Sequence, residues 1–380
     1  MEKIHFHSFD AFRFFAFFKV YVFHATAVVV AADGSALQWV KDHIAHGGGI
    51  GVSFFFVLSG FLITYILTFD KISHGNIGLK KFFVRRAFRI WPLFYLMVII
   101  AFVIPPDFAE RIGYHMNGGG YDPDWRFSFT FLENYKMLLM DNVPKTTPLS
   151  VFWSLCIEEH FYIVWMIVFY FLRRKYIPYY LIATVFIAFF SRVFHADLYS
   201  AERISNNDLF TNMDYFAISG LLGYAVAVNY KKVESFVLRI PLLVRIAYVV
   251  GLIVVLLYQK AIFSHDNWVM NNLKYTIYAL MFAILLAIFV PADSRLKISD
   301  NNILTQLGKI SYGLYVYHII WIHVVLKLFL DYNIMIDDWR KYFIFIGTTF
   351  CGTIVTSWLS YHYFEKPLLN FREKLFPNNS

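Results

Sequence analysis

Cysteine is nearly missing from this chain. Cys156 and Cys351 are its two, each inside an apolar block where a small buried hydrophobe is the expected role, and no disulfide framework or zinc-type spacing is visible. "HIAH" supplies one His-x-x-His pair, His43 and His46, but no cysteine or carboxylate cluster stands beside it, so no metal site is expected. Charge is scarce too: Asp, Glu, Lys and Arg make up 16% of 380 residues, against about a quarter in ordinary soluble domains. Long polar stretches are also absent. No loop between apolar blocks is long enough to bury a core of its own, which excludes a separable soluble domain and leaves residues 1–380 as one expected unit. The formal charge of +8 comes from basic residues spread over short loops. The preference of Lys and Arg for the cytoplasmic side of a membrane explains that pattern better than nucleic-acid binding does.

What is present is apolar sequence, in repeated blocks. Hydrophobic residues make up 59% of the chain, and a run of about 20 of them crosses the ~30 Å hydrocarbon core of a bilayer as a helix. The sequence therefore predicts an all-α polytopic membrane protein. The first block passes a small-x-small "ATA" (Ala25 to Ala27) that mimics a signal-peptide cleavage site, but Arg13, Lys19 and His24 interrupt the run, so an uncleaved first helix is expected. Loop charges set the orientation: 70–89, 173–175 and 231–239 are basic and belong inside, while 105–126, 196–208 and 331–338 carry acidic excess and belong outside. Helices near 10–31, 50–69, 88–104, 149–172, 176–195, 209–229, 241–259, 270–290, 303–330 and 341–363 satisfy these constraints. That makes about ten transmembrane helices around a polar central cavity, with both termini cytoplasmic. The block "FSFTFLENYKMLLM" (127–140) carries Glu133 and Lys136 and breaks the alternation, so it is read as an amphipathic or re-entrant segment at the outer face.

The stretch "SVFWSLCIEEHFYIVWMIVFYFL" places Glu158, Glu159 and His160 near the middle of a span, where each ionisable group costs ~2.5–3.5 kcal/mol on insertion scales. Ser154, Glu158 and Tyr162 recur at i, i+4, i+8 and form one polar stripe; Ser311, Tyr315 and His318 form another on the ninth helix. Arg13 and His24 are about three turns apart, so both leave one face of the first helix, with His24 ~16 Å further along. Three helices thus bring ionisable groups to the central zone of the bilayer, as walls of a polar cavity. His160 points away from Glu158 and is expected to be structural. Ser59-Gly60 in "FFVLSGF" permits a close backbone approach or a bend.

In this order, "FDAFRFFAFFKVYVFHA", "GVSFFFVLSGFLIT", "FFVRRAFRIWPLFYL", "FWSLCIEEHFYIVW", "LGKISYGLYVYH" and "YFEKPL" resemble the acyltransferase 3 family of integral membrane acyltransferases. The resemblance covers essentially the whole chain. The family's basic residue followed by ten residues and His is matched by Arg13 and His24, its Arg-x-x-Arg by Arg86 and Arg89, and its WSLxxExxFY by Trp153 to Tyr162, which singles out Glu158. The resemblance implies transfer of an acyl group, usually acetyl from cytoplasmic acetyl-CoA, to a hydroxyl of a surface glycan, glycolipid or small molecule, in the bacterial cytoplasmic membrane and without a metal. Some relatives carry a C-terminal extracytoplasmic esterase-like domain; this chain ends soon after the tenth helix, so any accessory activity is expected from a separate protein. Lys19 departs from the pattern, where an apolar residue is expected. Either its ammonium snorkels or it pairs with a carboxylate such as Glu159, which would give Glu159 a structural role.

The chemistry of the residues agrees. Acetyl-CoA is a polyanion with a long arm ending in a thioester, so it needs cations at the cytoplasmic surface and a base further in. Arg85, Arg86 and Arg89 begin the third helix with forked donors suited to phosphates, with positive-inside anchoring as the plainer alternative. His24 is the candidate general base, Glu158 the carboxylate that would orient it and support its charged form, and His318 a second imidazole that the reaction does not require. A secondary transporter using Glu and His as a proton relay is the alternative, but no internal repeat of paired halves is visible. A sensor or scaffold has no need of Arg86, Arg89, His24 and Glu158 together, and the motif order argues against another polytopic acyltransferase fold. The sequence names neither the acceptor nor the oligomeric state.

Overall fold

The computed structural model describes residues 3–112, 120–198, 207–263 and 268–375. Among these residues the fold is all helical, apart from one isolated bridge between Tyr121 and Pro144. Ten helices of 16 residues or more are α1 (Phe9–Ala27), α2 (Gly49–His74), α3 (Leu79–Val103), α4 (Trp153–Phe171), α5 (Ile177–Leu198), α6 (Leu209–Arg239), α7 (Leu242–Leu257), α8 (Trp268–Phe289), α9 (Ser311–Asp331) and α10 (Trp339–Ser360). Seven helical stretches are long and apolar enough to cross a membrane, or eight if α6 and α7, bent by 88° where Pro241 follows Ile240, count as one broken span. The count of about ten therefore exceeds what length and apolarity alone support. α1 falls outside the seven because it carries Asp10, Arg13 and Lys19 within 19 residues.

Small residues set the register of the bundle. A Cβ at Gly51 would lie 2.5 Å from the Ala16 carbonyl oxygen, and the Phe9 and Phe61 rings are 5.0 Å apart, so α1 and α2 run antiparallel in close contact. At Gly60 a Cβ would come 2.5 Å from Phe216 Cα, and at Gly223 2.4 Å from the Phe61 carbonyl oxygen. This seam brings α2 and α6 together backbone to backbone, as membrane helices do where lipid offers no hydrophobic drive. It is the close-approach role open to Ser59-Gly60. Gly308, in the short helix Ile303–Lys309, meets the Asp10 backbone so closely that no side chain fits, and the expected ninth span is divided at Ile310.

Buried polar networks pin the rest. Arg192 of α5 donates to Asp214 of α6 at 2.8 Å and to Thr276 of α8 at 2.9 Å, with both charged side chains essentially inaccessible. Residues 125–140 form two short helices, Trp125–Ser128 and Glu133–Met140. At ~1.5 Å per residue, each falls far short of a ~30 Å crossing. Glu133 anchors them by accepting from the Tyr121 and Ser128 hydroxyls at 2.5 Å each. Burial lifts its carboxyl above the ordinary range, against those two hydrogen bonds. Cys156 is buried as expected, whereas Cys351 is exposed, because it lies on the outward face of α10.

Candidate active site

Five helices enclose an open cavity of about 750 Å³. α1 contributes Arg13, α2 Ser59 with Val52, Phe55 and Phe56, and α3 Arg86, Arg89 and Ile90; α4 contributes Ser154, Glu158 and Tyr162, and α9 Ser311, Tyr312 and Tyr315. The whole Ser154–Glu158–Tyr162 stripe therefore faces this space, because residues four apart on a helix leave the same side, and Ser311 and Tyr315 of the second stripe face it too, whereas His318 does not. Glu158 is held at two points: Ser59 donates to Oε1 at 2.7 Å and the Tyr162 hydroxyl to Oε2 at 3.3 Å. Ser154 and Tyr315 join α4 to α9 through hydroxyls 2.7 Å apart.

The cations differ in their attachments. Arg13 pairs with Asp10 one turn back. Arg86 lies over the Tyr162 and Phe82 rings at 5.7 and 5.8 Å, and among the described residues neither it nor Arg89 makes an ion pair. The cavity thus holds two guanidiniums that are not ion-paired, together with the carboxylate of Glu158. Arg85 is not in the cavity; its guanidinium lies 3.9 Å from Glu373, on the helix Lys366–Leu375.

The imidazoles also stand apart from the cavity lining. α1 stops at Ala27, so His24 is in its last turn rather than mid-helix. Its ring lies 5.3 Å from that of His318. His318 is fully buried and packs against Phe17, and its Nδ1–H donates to the Tyr315 carbonyl at 2.5 Å, leaving Nε2 as an acceptor with no partner among the described residues. The Tyr315 ring, 5.6 Å from His318, links this pair to the cavity. His323, further along α9, interacts electrostatically with both imidazoles.

Of the two alternatives for Lys19, the structure favours snorkelling over pairing with Glu159: it donates to the Ile44 and His46 carbonyls at 2.6 Å each, which brings its charge to the polar segment before α2. Glu159 faces α3 instead and accepts from the Trp91 indole at 3.0 Å, outside the cavity. His160 stacks against Tyr135, 5.6 Å between rings, on the side away from Glu158. Sequence reasoning missed Tyr312, whose hydroxyl donates to the Ile90 carbonyl at 2.8 Å, and the role of Ser59 as a Glu158 donor. For Ser59 the available signal was a hydroxyl in the middle of an apolar run.

A sequence profile of the acyltransferase 3 family, described as an acyltransferase domain, matches residues 6–361. The chain belongs to this family. The acyltransferase 3 match takes in every helix that lines the cavity. Over 301 residues the chain is 27% identical to the peptidoglycan O-acetyltransferase OatA of Listeria monocytogenes, covering 77% of this chain and 47% of that protein. Over 371 residues it is 26% identical to a Staphylococcus aureus protein provisionally named an O-acetyltransferase, covering 92% of this chain and 58% of the other. A Bacillus subtilis protein provisionally named a peptidoglycan O-acetyltransferase is 34% identical over 161 residues, 41% of this chain and 22% of its own length. The acyltransferase 3 chain described here thus spans about half the length of the first two relatives. No solved structure matches it.

Proposed function

We propose that the chain is a membrane-embedded O-acyltransferase of the cytoplasmic membrane, one transmembrane unit with both termini inside. It moves an acetyl group from cytoplasmic acetyl-CoA to a hydroxyl of a surface glycan or glycan-like acceptor. The observation that carries the reading is the single cavity that holds Arg13, Arg86, Arg89 and Glu158 within a chain of the acyltransferase 3 family. Arg86 and Arg89 would take the phosphates of CoA near the start of α3, and the thioester arm would run along the Ser154–Glu158–Tyr162 stripe. The acceptor oxygen attacks the thioester carbon while His24 removes its proton. The tetrahedral adduct then collapses, the C–S bond breaks and CoA leaves as the thiolate, which takes up a proton. His318 would hold His24 in orientation, and Glu158 would supply negative charge along the path. Names of the relatives favour a cell-wall glycan as acceptor.

The test is mass analysis of surface glycans and lipids from cells with and without the protein, paired with CoA titration of the purified chain. An ester-linked acyl group lost with the protein, together with saturable CoA binding, supports the reading. Identical glycan and lipid profiles and no CoA binding sink it.

A further inference from the structure

A second cavity, of about 1000 Å³, lies at the other end of the bundle, where α2, α4, α6 and α8 begin and α7 ends. Its wall differs in kind from that of the first. Trp153, Tyr275 and Tyr278 give aromatic faces, Asn212 and Gln259 give amides, and Lys260 and Lys274 give cations, of which Lys260 faces Asp42 at 3.9 Å. No carboxylate lines it among the described residues. The Lys274 ammonium meets the Asn271 amide oxygen at 3.4 Å and the Tyr275 ring at 5.3 Å, so its charge is not neutralised within the described chain. A half-buried cation left in this state on an apolar helix is a functional site by default. The wall is also rigid: beneath it, Asp214 accepts from Arg192 at 2.8 Å and from Thr276 at 2.5 Å, next to the lining residues Tyr215 and Tyr275.

The two cavities are lined by neighbouring residues of the same helices. On α2, Ser53 lines the second cavity while its neighbours Val52, Phe55 and Phe56 line the first. On α4, Trp153 lines the second and Ser154 the first. A ligand in the second cavity therefore sits next to the proposed donor site without entering from the same side.

We propose that this second cavity seats the acceptor, as a sugar unit that carries an acidic group. Aromatic faces stack on the apolar faces of a pyranose, amides serve its hydroxyls, and Lys274 selects the acid. The proposal rests on the acyltransferase reading above.

Binding is measured on the full purified chain in nanodiscs, by calorimetry with tetragalacturonate as the anionic probe, chitotetraose as the neutral one and glycerol phosphate as a lipid-headgroup mimic. Tetragalacturonate should bind about tenfold tighter than chitotetraose, and Lys274→Gln should erase that preference, as expected for loss of one charge-assisted contact. Lys274→Arg should keep the preference, and CoA affinity should stay within about twofold of wild type in both variants, which also reports that they are folded. Equal affinity for the two sugars, an unchanged preference in Lys274→Gln, or displacement of tetragalacturonate by glycerol phosphate overturns the proposal. The two readings fail separately: a chain that binds CoA and neither sugar lacks this acceptor site, whereas one that binds the sugar and no CoA loses the acyltransferase reading.

Discussion

Replacing Arg86 and Arg89 with alanine, singly and together, tests where the charge of the donor goes. Neither guanidinium makes an ion pair among the described residues, and Glu158, the carboxylate that shares their cavity, is held by Ser59 and Tyr162. The loss should therefore appear in the ligand rather than in the fold. A charge-assisted hydrogen bond is worth ~1.5–3 kcal/mol, which lowers CoA affinity about ten- to a hundredfold for either single variant. Arg86 also lies over Tyr162 at 5.7 Å; a contact of this kind is worth ~0.5–1 kcal/mol, so Arg86→Ala should melt slightly earlier than Arg89→Ala. If the two hold different phosphates their effects add to ~3–6 kcal/mol, and if they share one phosphate the double variant falls short of that sum. Arg85→Ala is the internal control: its partner is Glu373, off the cavity, and CoA affinity should stay within about twofold. The assay is calorimetric titration of CoA into the purified chain, repeated at higher salt, where the wild-type affinity should drop and that of the double variant should barely move. A double variant with a wild-type melting point and wild-type CoA affinity would refute the assignment and leave both arginines as topology anchors.

Further outcomes follow from other contacts. His24→Ala should leave CoA binding nearly intact and cut turnover by ~10²–10⁴ in a steady-state transfer assay; near-normal transfer moves the base to His318. Glu158→Gln keeps hydrogen-bonding capacity toward Ser59 and Tyr162 but loses the charge, so turnover should fall while the melting temperature drops less than in Glu158→Leu. Arg192→Ala leaves Asp214 buried and unpaired and should cost ~3–5 kcal/mol in detergent unfolding, most of it recovered by replacing both partners with apolar residues. Gly60→Ala should lower the melting temperature by parting α2 from α6, since the added methyl would meet Phe216 Cα at 2.5 Å; an unchanged melting curve would show that the seam yields without cost.

Residues on a single helix were legible, and relations between helices were not. The Ser154–Glu158–Tyr162 stripe and the Arg86/Arg89 pair follow from helical periodicity, and the structure turns both into one cavity. Partner choice follows instead from inter-helix register, which contacts such as Gly51 on Ala16 and Gly308 on Asp10 set across long sequence separations. Periodicity contains no such information, so it leaves Lys19 between snorkelling and pairing with a carboxylate such as Glu159, and only the structure shows the carbonyls of Ile44 and His46 as its acceptors. His318 shares a stripe with Tyr315 in sequence, yet the packing of α1 against α9 turns it toward Phe17 and His24. The second cavity was invisible because its lining comes from several segments, none of which reads as a motif.

The thin partition between the cavities bears on the cell as much as on the reaction. The Phe56 ring, which lines one space, lies 6.4 Å from the ring of Tyr215, which lines the other. In the proposed orientation the two cavities face opposite sides of the membrane and nearly meet, which is most of a channel. On the proposed reading, the septum across which the acyl group changes hands must also hold back protons and sodium ions at full membrane potential. Trimming Phe55 or Phe56 should therefore first show itself as an ion leak that depolarises the host, before any change in transfer rate is seen.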